Sequence, residues 1–185
     1  MRVLLHACCG PCAVYPLQWL REAGCQVTGF FYNPNIHPWR EYARRARTME
    51  RYAVLAGLPL DKDTGYELEQ YLAAVLTDPA VPGRCHTCYR LRLARAARAA
   101  REGGFTAFST TLLASPFQHH QLVQKAGEEA DRESGVAFLY RDFRVGWAEG
   151  MQGAKAAGLY RQSYCGCIFS EWERFGAGRD DRERS

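Results

Sequence analysis

Short apolar runs alternate along the chain with segments of helical period. The run from Val3 to Ala7 predicts a buried strand. A helix over 13–23 follows it and must start near Pro11, because Pro16 is tolerated only in the first helical turn. Further strands are predicted over 26–32, 105–112 and 136–140, and further helices over 39–56, 87–102 and 115–134. This alternation predicts an α/β fold with a mainly parallel, Rossmann-like sheet and helices on both faces.

Local signals predict several helix boundaries. Gly24 suits the end of the first helix, and Gly57 stops the helix over 39–56. The segment Thr64-Gly-Tyr-Glu67 has the form of a capping box. Ser115-Pro116 is typical of an N-cap followed by the first helical residue. The capping box predicts a helix with one apolar side, formed by Leu68, Leu72, Val75 and Leu76.

The composition indicates an ordinary globular chain. Of its 185 residues, 47% are hydrophobic, which is enough for one sizeable core and too little for two domains. We expect a single domain over 1–175 and a polar, disordered tail over 176–185. The chain opens on a strand-like run without the features of a secretory signal, and no segment resembles a membrane span. These features predict a cytoplasmic protein with no membrane partner.

The basic residues are mostly arginines. The formal net charge is only +4, and lysine occurs only at Lys62, Lys125 and Lys155. Arginine binds phosphate through two hydrogen bonds and stacks on bases, so the bias fits an RNA partner. High-GC codon usage would produce the same bias, and both explanations stay open.

Seven of the eight cysteines fall into three tight groups that are far apart in the chain. The three groups are Cys8, Cys9 and Cys12, then Cys85 and Cys88, then Cys165 and Cys167; Cys25 stands alone. Thiols stay reduced in the cytosol, where grouped cysteines indicate metal or redox chemistry more often than disulfides. Convergence of three loops on one metal site would explain the pattern, and thiolates select zinc or iron-sulfur chemistry.

The predicted metal site lies at the carboxyl ends of the strands, where parallel sheets bind ligands. Four thiolates suffice for zinc or for one iron-sulfur cluster, so seven suggest a cluster together with a second metal, a redox-active thiol pair or an open position for substrate. Structural zinc and a metal-free dithiol enzyme stay open as alternatives. The first strand-to-helix turn carries no phosphate-binding glycine motif, which argues against a nucleotide cofactor.

Several stretches of the chain, in the same order from Arg2 to Ser170, resemble the QueH-type epoxyqueuosine reductases. They are His6-x-Cys8-Cys9-x-Pro11, Phe31-Tyr-Asn-Pro-Asn-Ile-His37, Cys85-x-x-Cys88-Tyr89-x-x-Arg92, Phe108-Ser-Thr-Thr-Leu-Leu113 with Ser115-Pro116, Asp142-Phe143-Arg144 and Tyr160-Arg-Gln-x-Tyr164-Cys-Gly-Cys167. The resemblance implies an oxidoreductase that converts the epoxide of epoxyqueuosine at the tRNA wobble position to the cyclopentene of queuosine. It also implies a [4Fe-4S] cluster, an adjacent mononuclear iron or zinc, an external electron donor and no cobalamin. The alternative function is a zinc-stabilised RNA-binding protein without redox activity.

Epoxide deoxygenation needs two electrons, protons and stabilisation of an oxygen that becomes anionic. We therefore hypothesise that thiolates from all three segments bind the cluster and that the remaining ones hold the second metal. Cys12 is predicted as a second-metal ligand or reactive thiol, and Asp142 as a second catalytic residue, with His6, His37 and His86 as further candidates for proton transfer. The predicted substrate-binding residues are Tyr32, Asn33, Asn35, His37, Arg90, Arg92, Ser109, Thr110, Arg144 and Arg161. Candidates for stacking on an unpaired base are Trp39, Tyr89, Phe117, Phe143 and Tyr164.

Overall fold

The computed structural model describes residues 1–176. The strands are β1 (Arg2–His6), β2 (Gln26–Phe31), β3 (Leu60–Lys62), β4 (Ala107–Thr110) and β5 (Ala137–Phe138). The α-helices are α1 (Gly10–Glu22), α2 (Trp39–Ala56), α3 (Leu68–Val75), α4 (Gly83–Glu102), α5 (His120–Ser134), α6 (Trp147–Ala156) and α7 (Ile168–Phe175). Two 3-10 turns cover Thr111–Ala114 and Phe143–Gly146. The predicted tail lies outside the described residues from 177 onward.

All five strands form one parallel sheet in the order β3-β2-β1-β4-β5. The central strand β1 pairs with β2 on one side and β4 on the other, so Leu5 lies opposite both Gly29 and Ser109. The strand order reverses at β1, and this reversal opens a crevice at its carboxyl end. The α/β fold predicted from the sequence is therefore confirmed, and Cys8 follows β1 directly into the crevice.

Apolar side chains cover both faces of the sheet. Val3 and Leu5 point into a core formed with α1 and α2, whereas Leu4 points into a second core formed with α4 and α5. This division follows from the alternation of side chains along a strand. Within residues 1–176, no helix combines the length and the apolar character that a membrane span requires.

The first helix departs from its prediction at Pro16. The helix begins at Gly10, as the position of Pro11 suggested, but Pro16 then lies in the second turn rather than the first. Pro16 cannot donate the backbone hydrogen bond to the carbonyl of Cys12 that another residue would donate. Pro16 is buried together with Leu17, so the ring contributes apolar packing at the position where the hydrogen bond is lost.

The predicted capping box is not formed. Glu67 occupies the N-cap of α3, and no side chain caps the helix. The Glu67 carboxylate instead accepts a 2.5 Å hydrogen bond from the hydroxyl of Tyr32. Because the Glu67 carboxylate bonds Tyr32, it is not available to cap the helix. The predicted apolar side is confirmed in part: Val75 is buried and Leu72 packs beside it, but Leu76 is 54% exposed and Tyr71 is buried in its place.

Two further boundaries differ from the sequence prediction. The helix expected to open at Ser115 begins at His120, because the Ser115 hydroxyl accepts from the backbone N–H of Phe117 in a tight turn. The short edge strand β3 had no counterpart in the prediction. Only three residues of β3 pair with β2, and two of them are exposed, so its pattern is not that of a buried strand.

We predict that Gly10→Ala destabilises the fold. A Cβ atom at Gly10 would lie 3.0 Å from the backbone oxygen of Thr48 and 3.2 Å from the Cβ of Tyr52, because α1 crosses α2 closely there. Overpacking of this kind lowers the free energy of unfolding by about 1–3 kcal/mol, measurable by urea denaturation. The control is Gly65→Ala, whose Cβ would meet neighbours only at 3.5 Å or more. Equal stability of the two variants would contradict the close crossing.

Candidate metal centre

The first cysteine group lies between the end of β1 and the first turn of α1. The sulfur atoms of Cys8, Cys9 and Cys12 all lie within 4.8 Å of one another, and the Sγ atoms of Cys8 and Cys9 are 3.8 Å apart. Two thiolates that bind one tetrahedral ion at about 2.3 Å lie about 3.8 Å from each other. The three sulfurs are therefore spaced for one metal ion.

Cys8 is the favoured thiolate of this group. Hydrogen bonds from Cys12 and Cys9 hold the pKa of Cys8 well below its usual range, and the charge of Arg92 and the hydroxyl of Thr111 act in the same direction. The hydrogen bond to Cys8 raises the pKa of Cys12, and burial raises the pKa of Cys9. A metal that binds all three sulfurs must therefore displace the protons of Cys9 and Cys12.

The side-chain amide of Gln162 contacts two sulfurs of the first group. Its Nε2 atom donates to the Sγ atoms of Cys9 at 3.0 Å and Cys12 at 3.3 Å. Amide hydrogen bonds favour negative charge on sulfur. Gln162 was not among the predicted site residues, although it lies in the motif from Tyr160 to Cys167, because nothing in its spacing distinguishes it from its neighbours.

The second group consists of the other four clustered cysteines. Cys85 and Cys88 from the first turns of α4 line a cavity of about 210 Å³ together with Cys165 and Cys167, which precede α7. Tyr71 of α3 lies beside them. Among the described residues, no three of these four sulfurs lie within 4.8 Å of one another. No three of these four sulfurs are therefore spaced for a single metal ion.

Three of the four cysteines in the second group are partly or fully buried, whereas Cys165 is exposed. Burial raises the pKa of Cys85 to about 12 and that of Cys88 to about 11, and it also raises the pKa of Cys167. These thiols stay neutral without a metal, and a metal would bind them as thiolates. All eight cysteines of the chain are free, so the disulfide alternative is not formed here.

Arg45 of α2 positions the loop that carries Cys165 and Cys167. Its guanidinium donates to the carbonyl oxygens of Cys165 and Tyr164, both at 3.0 Å, and to the carboxylate of Glu41 at 2.7 Å. This loop is not paired with any strand, so these buried hydrogen bonds fix its place. Arg45 lies on the apolar face of α2 together with Tyr42, a signal that the sequence analysis missed.

His37 fixes the same loop through its backbone. Its N–H donates to the carbonyl oxygen of Gly166 at 2.8 Å, and its carbonyl oxygen accepts from the hydroxyl of Tyr164. The His37 side chain is buried, and burial lowers the pKa of its imidazole. The structure therefore gives His37 a positioning contact, and its predicted contact with substrate stays a prediction.

Arg92 and Asn33 connect the two cysteine groups. Arg92 of α4 is 3% exposed and donates to the Asn33 side-chain oxygen at 2.6 Å, while the Asn33 amide donates to the carbonyl oxygen of Ala7 at 3.0 Å. Both residues were predicted to bind substrate. The contacts observed are internal, and they hold the helix of Cys88 against the loop of Cys8.

Other predicted residues join the strand ends. The Nδ1 atom of His6 lies 2.8 Å from the Thr110 hydroxyl, its Nε2 atom lies 3.1 Å from the carbonyl oxygen of Tyr32, and the Ser109 hydroxyl donates to Leu139. Burial and the Arg92 charge lower the pKa of His6 to about 3, so the imidazole is neutral. These buried contacts stabilise the crevice, and the predicted substrate roles of Tyr32, Ser109 and Thr110 stay predictions.

Three of the predicted residues, Asp142, Arg144 and Arg90, form ion pairs within the chain. Asp142 caps the second 3-10 turn and forms an ion pair with Arg144 at 2.6 Å, and the hydrogen bond from Arg144 lowers the pKa of Asp142 to about 2. Arg90 forms an ion pair with Glu129 of α5 at 3.2 Å. None of the three lines the cavities next to the cysteines. Their catalytic or substrate-binding roles therefore stay predictions.

An open cavity of about 350 Å³ adjoins the first cysteine group. Its walls include Cys8, Cys12, Phe117, Tyr164, Gln162 and the exposed Arg161. Phe117 and Cys165 also line the smaller cavity, so the cavities beside the two cysteine groups adjoin. Asn35 lines that smaller cavity as well, with a buried side-chain oxygen that has no partner among the described residues. The volume of the larger cavity, about 350 Å³, is in the range of small-molecule sites in proteins.

We predict that Arg45→Met displaces the loop of Cys165 and Cys167. The substitution leaves the Glu41 carboxylate, whose side chain is only 10% exposed, without its cation. Breaking a buried ion pair costs about 3–5 kcal/mol, which urea denaturation would detect. Cys167 should also react faster with an alkylating reagent in the metal-free variant. Arg47→Met, an exposed change on the same helix, is the control, and equal effects of both variants would contradict this role of Arg45.

Comparison with known proteins gives a consistent result. The family model described as epoxyqueuosine reductase QueH matches residues 3–173. The epoxyqueuosine reductase QueH of Dehalococcoides mccartyi is 38% identical, with 95% of each chain covered. The protein of the same name from Thermotoga maritima is 36% identical over 93% of this chain and 91% of its own length.

A solved structure supports the fold alone. A predicted subunit of a tRNA methyltransferase from Methanocaldococcus jannaschii superimposes with a TM-score of 0.51 at 11% sequence identity. The superposition covers 86% of this chain and 89% of that one.

Proposed function

The chain belongs to the epoxyqueuosine reductase QueH family, and we propose that it converts the epoxide of epoxyqueuosine in tRNA to the cyclopentene of queuosine. In this reaction both C–O bonds of the epoxide break, a C=C bond forms, and the oxygen leaves as water. An external donor supplies the two electrons, and two protons are consumed. The observation that carries the proposal is the pair of cysteine groups beside a cavity of about 350 Å³.

The spacing of the sulfurs supports a division of the metals between the two groups. We assign a [4Fe-4S] cluster to Cys85, Cys88, Cys165 and Cys167, and a single iron or zinc ion to Cys8, Cys9 and Cys12. When bound, the cluster supplies electrons one at a time, and the single ion supplies a Lewis acid for the epoxide oxygen. This division differs from the hypothesis that all three segments bind the cluster.

The three ligands of the first group suit a catalytic ion, because catalytic metal sites keep one coordination position free of protein. The cavity opens beside Cys8 and Cys12, which is where a substrate oxygen would need to enter. Gln162 donates to two of the sulfurs from the same side, so its amide is placed to hold them while substrate enters.

Aromatic and basic side chains at the cavity suit a modified base. Phe117 is 79% exposed at the junction of the two cavities, and we propose that it stacks on the base. Arg161 is exposed in the wall of the larger cavity and is available to the phosphate backbone. Phe143, also predicted for stacking, is buried in the apolar core. Tyr89 is buried there as well but lines the smaller cavity, so its predicted stacking stays a prediction.

Nucleoside analysis tests the proposed substrate. We expect anaerobically purified protein, given a chemical reductant, to convert epoxyqueuosine to queuosine in tRNA isolated from cells that lack the reductase. Chromatography of the digested tRNA would show loss of the epoxide and an equal gain of queuosine. Unchanged epoxide with metal-loaded protein would contradict the proposed reaction.

Single Cys→Ser variants test the division of the metals. Variants at Cys85, Cys88, Cys165 and Cys167 should lose acid-labile sulfide and visible absorption. Variants at Cys8, Cys9 and Cys12 should keep sulfide, lose about one metal ion per chain and lose turnover. Cys25→Ser is the matched control, since Cys25 is buried and free but distant in sequence from all three groups.

The same series separates the alternatives. Loss of sulfide in the Cys8 or Cys9 variant would favour a cluster bound by all three segments. Colourless wild-type protein with stoichiometric zinc and no sulfide would favour the RNA-binding alternative. Normal metal content and turnover in all seven variants would contradict any metal role for these cysteines.

A further inference from the structure

Four arginines form a narrow stripe on the outer face of α2. They are Arg40, Arg44, Arg47 and Arg51, and all four are exposed. With 3.6 residues per turn, these positions fall within a sector of about 60° and extend about 16 Å along the helix. The buried residues of the helix, among them Tyr42 and Met49, lie on the opposite side.

No carboxylate of the described chain forms an ion pair with this stripe. Glu41 pairs with Arg45, and Glu50 pairs with Lys62, so both acidic residues of α2 are engaged elsewhere. Like charges three and four residues apart repel one another on a helix. The stripe therefore works against the stability of α2 unless an external anion neutralises it.

The arginines of α4 give the contrast. Arg90 pairs with Glu129, Arg92 bonds Asn33 inside the protein, and Arg95 pairs with Asp63 at 2.8 Å. Most of the charge near the start and middle of α4 is thus used within the chain. Arg90 and Arg92 were predicted from the sequence to bind substrate, whereas no arginine of α2 was.

The stripe leads toward the larger cavity. The Arg44 guanidinium lies 3.5 Å from the centre of the Tyr160 ring. The next residue in the chain, Arg161, lines the larger cavity. Arg51 donates to the carbonyl oxygens of Ala157 and Gly158, which holds the other end of the stripe against the same loop. Arg40 and Arg47 have no hydrogen bond or ion pair within residues 1–176.

We infer that this stripe binds the phosphate backbone of the RNA whose modified base enters the cavity. The inference rests on the proposed function and extends it by naming the surface that holds the nucleic acid. Guanidinium groups form paired hydrogen bonds with phosphate, and each neutralised phosphate releases bound counterions. Binding through the stripe should therefore weaken with salt and depend little on nucleotide sequence.

The test compares two charge-matched double variants in tRNA binding across a series of salt concentrations. Arg40→Gln with Arg47→Gln removes two stripe charges, and Arg98→Gln with Arg101→Gln removes two exposed charges from α4. The stripe variant should bind tRNA more weakly and lower the slope of log K against log salt by about 1.4 to 1.8, since each phosphate contact contributes about 0.7 to 0.9. The α4 variant should keep the wild-type slope. Arg40→Lys with Arg47→Lys, which retains both charges, should keep most of the binding.

Conversion of epoxyqueuosine by the wild-type protein is measured on the same preparation. If the wild type converts the substrate but the stripe variant keeps its tRNA affinity and salt slope, the inference is overturned and the proposed function stands. Equal weakening by the α4 pair would also overturn it, since the effect would then reflect net charge alone. If anionic vesicles bind the stripe and tRNA does not displace them, the stripe serves a membrane surface and the inference is wrong.

Discussion

The buried charge of Arg92 is the constraint on which the rest of the site depends. Its guanidinium is 3% exposed, its Nε atom has no partner, and no carboxylate of residues 1–176 pairs with it. Burying an unpaired cation costs several kcal/mol. Anionic sulfur at Cys8 supplies negative charge beside it, since the charge of Arg92 helps to lower the pKa of Cys8. Cys88, whose thiol is neutral without a metal, would add negative charge only as a metal-bound thiolate. The stability of this arrangement and its capacity to hold metals are therefore coupled.

The fold provides the two groups with different supports. The first cysteine group, Cys8, Cys9 and Cys12, lies where the central strand β1 leads into α1. This strand is paired on both sides, so its end has little freedom to move. The loop of Cys165 and Cys167 is held by side-chain and backbone hydrogen bonds, among them those of Arg45, His37 and Gln162. The sheet thus determines the position of the first cysteine group, and hydrogen bonds of polar side chains determine the position of the loop that carries Cys165 and Cys167. The larger cavity lies between them, since Cys8 and Cys12 line it together with Cys165.

The sequence predicted the sheet because parallel strands are buried on both faces and therefore form continuous apolar runs. It also predicted α2 to its observed limits, since a helix of strong period ends at Gly57 in the left-handed conformation. It failed where a distant partner decides the outcome. Glu67 bonds Tyr32 rather than capping α3, and β3 is too short and exposed to carry a pattern.

The candidate site divides in the same way. Cysteine spacing identified seven candidate metal ligands, but their division into groups of three and four depends on the positions of α4 and the last loop, which spacing does not encode. Asn33 and Arg92 were selected for substrate contact because they lie in shared motifs, and the structure gives them internal hydrogen bonds. Arg45 and Gln162 were missed because their importance lies in the loop that they contact.

Anomalous diffraction from anaerobic crystals, recorded at the iron and zinc absorption edges, would test the central claim most directly. The account predicts a strong iron peak among Cys85, Cys88, Cys165 and Cys167 and a separate, weaker iron or zinc peak among Cys8, Cys9 and Cys12. Crystals that show a single zinc peak and no iron, or cystine bridges with no metal between them, would contradict it.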